Sequence, residues 1–114
     1  DFLHERAGAC RAAGIPADRI ALDPGFGFGK TLDHNLQLLR GLGGLGRGYP
    51  LLVGLSRKSM LGKLTGRPVD QRLAGSIALA ALAVAAGARI VRCHDVAETV
   101  DAVRVAWAAS NKEP

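Results

Sequence analysis

The apolar run Ile20-Ala21-Leu22 ends in a carboxylate, Asp23, and then breaks into a loop with alternating glycines, DPGFGFGKT from Asp23 to Thr31. A strand that stops on a polar side chain delivers it to the strand's carboxyl end, where open and closed α/β sheets hold their ligands. Glycine lacks Cβ, so the backbone of this loop can approach a ligand closely and adopt positive φ. Phe26 and Phe28 add flat apolar surface. The combination suits a planar ligand with polar edges.

The rest of the chain repeats that layout. Leu3, Ala7, Cys10 and Gly14 fall at helical spacing, and Gly14 with Pro16 is a helix stop. Arg19 to Asp23 reads as a short buried strand. Leu32, Leu36, Leu39 and Leu42 line one helical face, with Thr31 as N-cap. The loop Gly41 to Gly48 leads to a second apolar strand, Leu51 to Leu55, whose end carries Ser56, Arg57, Lys58 and Ser59. Asp70 is expected to cap a long Ala-rich helix to about Ala86, closed by Gly87. Arg89 to His94 is the third strand. Asp95 with Glu98 opens a last helix striped by Val96, Val100, Val103 and Trp107, and residues 110–114 read as a polar tail.

The order is αβαβαβα, with apolar strands of parallel-sheet character. Three strands are too few for a closed eight-stranded barrel or for an open doubly wound sheet, and alone they leave two bare edges. Residues 1–114 are therefore expected to form one partial domain of a larger α/β fold.

The net charge of the 114 residues is +5, with local concentrations at Arg57-Lys58 and from Arg89 to His94. That pattern favours a small anionic ligand. A nucleic-acid track would need a basic stripe with interleaved aromatics, which is absent from the sequence. Cys10 and Cys93 form no CxxC pair, which fits a reducing, cytoplasmic compartment. The longest apolar stretch, Leu73 to Ala88, is Ala-rich and too short to span a bilayer comfortably, so no membrane association is expected.

Two glycine motifs fail on inspection. GFGFGKT ends like a phosphate-binding loop, but Pro24 stands where that motif requires its first glycine. Gly41, Gly43 and Gly46 satisfy GxGxxG, yet they follow a helix and precede a strand, the reverse of the dinucleotide fingerprint. Arg92 and His94 are two apart on a strand, so both face one side while Cys93 faces the other, toward a packed helix. With the amino end of the following helix beside them, they make an anion site. Competing readings are plain: Asp23 caps a turn, Arg92 pairs with a structural carboxylate, and Lys58 is solvated. His4 and His34 read as surface residues.

Three motifs in order, DPGFGFGKTLDHNLQLL, GLSRKSMLGKLTG with RLAGSIALA, and IVRCHDVAETVDAVR, closely resemble dihydropteroate synthase from about Ile20 to Val105. The resemblance implies the carboxyl-terminal portion of a (β/α)₈ barrel, with strands six to eight present and the first five outside this chain. It implies condensation of para-aminobenzoate with a dihydropterin-methyl diphosphate, releasing diphosphate, in a protein that is usually dimeric through its late helices. By motif position Asp23 is expected to accept hydrogen bonds from the pterin and Lys58 to pack on and bond it. Arg92 and His94 are expected to form the anion pair, so that Lys58, Arg92 and His94 carry the chemistry. Gly27, Phe28 and Ser59 are expected to line the aminobenzoate pocket, where sulfonamides also bind. Mg²⁺ is the implied cofactor, with its protein ligand outside this chain. Two further readings stand beside this one: a methyltetrahydrofolate-binding methyltransferase of related barrel type, and a non-catalytic module that pairs through its sheet edge.

Overall fold

The computed structural model of the chain describes residues 2–26, 30–45 and 48–110. Five α-helices flank two short strands: α1 Phe2–Ala12, α2 Leu32–Arg40, β1 Leu52–Gly54, α3 Ser59–Thr65, α4 Leu73–Ala85, β2 Ile90–Arg92 and α5 Val96–Ser110. The strands are parallel, pairing Leu52 with Ile90, Val53 with Val91 and Gly54 with Arg92. The strand expected at Arg19 to Asp23 is reduced to one parallel bridge between Leu22 and Leu51. Leu22 donates its N–H to Pro50 O at 2.9 Å and accepts from Leu52 N–H at 2.8 Å. Upstream, Ala17–Arg19 closes into a 3₁₀ turn after Pro16, which leaves too little extended backbone for a longer ladder. The three expected strand positions nonetheless lie side by side in chain order and parallel.

β1 is apolar and covered on both sides, as in a parallel sheet, whereas Ile90 and Arg92 of β2 are exposed. Leu51, Val53 and Leu55 are buried with Leu22, Phe26, Leu42, Met60, Leu61, Leu79 and Ala83 in one cluster. Complete burial of Leu42 alone is worth roughly 1.5–3 kcal/mol. On α4, Ser76, Leu79, Ala80, Ala83 and Val84 are buried at helical spacing, and these small side chains let the helix approach closely. On its other side Leu82 is exposed, and Leu73, at its amino end, is exposed as well. The ensemble is a slab, 44 × 38 × 21 Å, as a sector of a barrel wall would be.

Helix ends follow the local chemistry with two differences. Thr31 caps α2 through His34 N–H at 3.2 Å, and Gly14 and Gly87 take positive φ after α1 and α4. Asp70, however, lies in a 3₁₀ turn, Val69–Gln71, and α4 begins at Leu73 with Arg72 in the capping position. Pro68 holds the backbone extended ahead of that turn, so the regular helix starts later. The short α3 is not apparent from periodicity: it holds Gly62 in its interior and is stabilised by burial of Met60 and Leu61. Ser110 belongs to α5, and residues 111–114 lie outside the described residues.

His4, expected at the surface, is half-buried and held by contacts. Its Nε2 lies 2.8 Å from Leu45 O, and its ring packs edge-on against Tyr49 at 5.8 Å, which ties α1 to the loop between α2 and β1. His34 is exposed, as expected.

Candidate active site

Register turns the local patterns into a site. Side chains alternate along a strand, so Gly54 and its partner Arg92 share a face, and two residues on so do Ser56 and His94. Gly54 offers no side chain, and the Arg92 guanidinium lies across that gap: a Cβ at position 54 would sit 2.8 Å from its Cζ and 2.9 Å from its Nε. One step further, Ser56 Oγ accepts the His94 backbone N–H at 3.2 Å and lies 2.9 Å from His94 Nδ1. If the hydroxyl donates to Nδ1, the ring proton of a neutral imidazole is on Nε2. Gly54, Ser56, Lys58, Arg92, Cys93 and His94 line a cavity of about 440 Å³ at these strand tips.

Lys58 joins this cavity to the glycine loop. Its ammonium donates to Phe26 O at 3.0 Å, while Phe26 itself is buried in the core. Lys30 closes the same loop from the other side by donating to Gly25 O at 2.9 Å. Asp23 is exposed and does not line the cavity; its Oδ1 accepts the Gly25 N–H at 2.9 Å. The turn-capping reading of Asp23 is therefore real, but it uses one of two carboxylate oxygens. Gly25 takes φ +74 within that turn, a conformation that side chains disfavour.

Other expectations resolve individually. Gly27 and Phe28 lie outside the described residues. Ser59 is the exposed first residue of α3 and is not among the cavity's lining residues. Cys93 lines both this cavity and a larger one of about 730 Å³ between β2 and α5, because strict alternation ends with β2 at Arg92. Arg89 is held over the Trp107 ring, 4.7 Å from its centroid, and lines that second space with Val100 and Val103. The expected stripe of α5 is thus mostly uncovered, with Val96, Val100 and Trp107 exposed and Val103 half-buried, while Thr99 is buried. Arg92 has no carboxylate partner among the described residues; the salt bridge there is Arg57 to Asp95 at 3.0 Å.

Electrostatically the cavity offers two cations, Lys58 and Arg92, and an imidazole, an arrangement for an anion rather than a metal ion. Among the described residues no group of three or more His, Cys, Asp or Glu side chains could hold a metal. Ser56 and Gly54 were missed as site residues by sequence reasoning. The i, i+2, i+4 spacing of Gly54, Ser56 and Lys58 is the only signal of them in the sequence, and it has meaning only once the pairing with β2 is known.

The profile described as pterin binding enzyme matches residues 1–94. The chain belongs to the pterin binding enzyme family. Within this family it is similar to the dihydropteroate synthase of Neisseria meningitidis serogroup C, 57% identical over 111 residues that cover 95% of this chain and 39% of that protein. The Haemophilus influenzae dihydropteroate synthase is 50% identical over 111 residues, covering 96% of this chain and 40% of its own length. Among solved structures, a Coxiella burnetii dihydropteroate synthase in complex with pteroic acid superposes with a TM-score of 0.94 at 44% identity, over 96% of this chain and 42% of that one. A Yersinia pestis dihydropteroate synthase in a sulfonamide drug complex gives a TM-score of 0.92 at 49% identity, over 98% and 41%. This pterin binding enzyme chain is therefore an α/β sector of a barrel, and it spans about 40% of the length of the relatives it matches. No helix among the described residues is long and apolar enough to cross a membrane.

Proposed function

We propose that residues 1–114 are the carboxyl-terminal part of a dihydropteroate synthase, supplying barrel strands six to eight. The complete enzyme joins para-aminobenzoate to 7,8-dihydropterin-6-ylmethyl diphosphate in the cytoplasm: the amine nitrogen forms a bond to the methylene carbon, the carbon–oxygen bond to diphosphate breaks, and the amine loses a proton. The observation that carries this reading is the shared cavity of Lys58, Arg92 and His94 beside the loop that starts at Asp23.

Negative charge grows on the diphosphate as its bond to carbon breaks. Preoriented cations stabilise that charge more than they stabilise the ground state. Arg92, laid across Gly54, and His94, oriented by Ser56, are the groups for this task. Lys58 packs on and bonds the pterin. Asp23 accepts N–H groups of the pterin edge, while Gly27, Phe28 and Ser59 border the aminobenzoate. Mg²⁺ would neutralise diphosphate charge in the complete enzyme, but the described residues do not form a site for it. Lys58 and Arg92 repel a cation, and there is no carboxylate cluster beside them. Leu82, exposed on the outer side of α4, supports a homodimer through the late helices.

Mixing the chain with the amino-terminal barrel half of a relative and following diphosphate release tests the activity. Release is expected from the mixture and not from the chain alone. A soluble complex without release would leave only a pairing module. The role of Asp23 has its own test, since asparagine keeps an oxygen for the Gly25 N–H and loses the charge. Asp23→Asn in the complete barrel is expected to retain the melting temperature and to weaken pterin binding about tenfold or more. Unchanged pterin affinity by calorimetry would remove Asp23 from the site.

A further inference from the structure

Arg57 is the one non-glycine among the described residues with positive φ, +55, a conformation that a Cβ disfavours. It immediately precedes Lys58, so whatever holds Arg57 there also aims the lysine. Asp95 pairs with the Arg57 guanidinium, and the Arg57 backbone is held by Ser76 of α4 and by Arg72 at the capping position of that helix. Ser76, 4% exposed, accepts the Arg57 backbone N–H on its Oγ at 2.9 Å. Arg72 donates from one terminal nitrogen to Arg57 O at 3.1 Å and Lys58 O at 3.3 Å, and from Nε to Arg67 O at 3.0 Å.

Arg72 and Ser76 are one helical turn apart, so they present one face to the loop. A cation at the amino end of α4 opposes the helix dipole, so its place there needs a reason other than helix stability. Two glycines make the approach possible. A Cβ at Gly62 would lie 3.1 Å from Arg72 Cζ, and a Cβ at Gly75 would lie 2.7 Å from Leu61 Cδ2. Gly62 thus thins α3 where the guanidinium passes, and Gly75 lets α4 approach Leu61 of α3.

We propose that Arg72 and Ser76 are positioning residues, clamping the Arg57–Lys58 backbone in its left-handed turn so that the Lys58 ammonium stays at the cavity beside Phe26 O. The proposal rests on the reading of Lys58 as a pterin-binding lysine. Neither residue touches ligand; both act through Lys58. The bland alternative is that Arg72 only closes the α3–α4 connection through Arg67 O.

The test uses the barrel completed with its amino-terminal half and reads pteroic acid affinity by calorimetry together with melting temperature. Arg72→Gln and Ser76→Ala are each expected to weaken pteroic acid about tenfold or more, as misplaced contact groups do. In a Lys58→Ala background the same changes should cost about twofold or less, because the residue they position is gone. Ser76→Thr restores the hydroxyl and should recover affinity. Gly62→Ala leaves Arg72 in the sequence, so it should lower affinity by evicting the guanidinium, while the gain in helix propensity offsets part of the stability lost with the guanidinium's hydrogen bonds. Equal losses with and without Lys58, or lower melting temperatures with unchanged affinity, would make the clamp merely structural. If Lys58→Ala weakens binding and the α4 variants do not, the clamp is wrong and the lysine assignment survives. If Lys58→Ala itself binds normally, the functional reading of Lys58 fails and the clamp fails with it.

Discussion

Arg92→Ala in a complete barrel is expected to lower the affinity for diphosphate by about tenfold or more, since a hydrogen bond to a charged group is worth about 1.5–3 kcal/mol. Pterin affinity should change by about threefold or less, because the pterin contacts are assigned to Asp23 and Lys58 on the neighbouring strand tips. Calorimetric titrations with inorganic diphosphate and with a pterin, each alone, give the two numbers separately. Equal losses would mean that Arg92 shapes the whole cavity rather than holding the anion.

Gly54→Ala is expected to cost diphosphate affinity nearly as much without touching a charge. The new Cβ would stand 2.8 Å from Arg92 Cζ, closer than such atoms pack, so the guanidinium must leave. The obstructing group is the end of a flexible side chain, so the fold should absorb the change. Alanine also restricts the unfolded chain, which holds the stability loss to about 1 kcal/mol or turns it into a gain. The decisive comparison is the double variant. Gly54→Ala with Arg92→Ala should bind diphosphate no worse than Arg92→Ala alone. Additive losses would show that Gly54 matters for something other than room for the arginine.

These two residues show how far the sequence can be read. Arg92 was recognisable from its chain position, two residues before His94 at the end of an apolar run. Gly54 was not, because nothing local marks it: its importance comes from pairing with Arg92 in register, across the 37 intervening residues 55–91, which include α3 and α4. Ser56 is similar. Its place among hydrogen-bond donors was evident, but its partner His94 was set by the same register. The α3 helix escaped notice because seven residues with an internal glycine do not signal a helix; burial of Met60 and Leu61 supplies what propensity lacks. The first expected strand shrank to the Leu22–Leu51 bridge because Pro16 and the 3₁₀ turn consume the backbone before it.

The sequence by itself determined most of the alternation of helices and strands and the delivery of Lys58, Arg92 and His94 to the ends of β1 and β2, since these depend on turn chemistry and on side-chain period within a few residues. Only the tertiary structure decided that Arg92 lies over Gly54, that His94 meets Ser56, that Asp23 Oδ1 is engaged by its own turn, and that Arg57 is held left-handed by Arg72 and Ser76. Period is a local property of the chain. Register and helix approach are set by which apolar surfaces fit together at long range, and that fit is written nowhere in a single stretch of sequence.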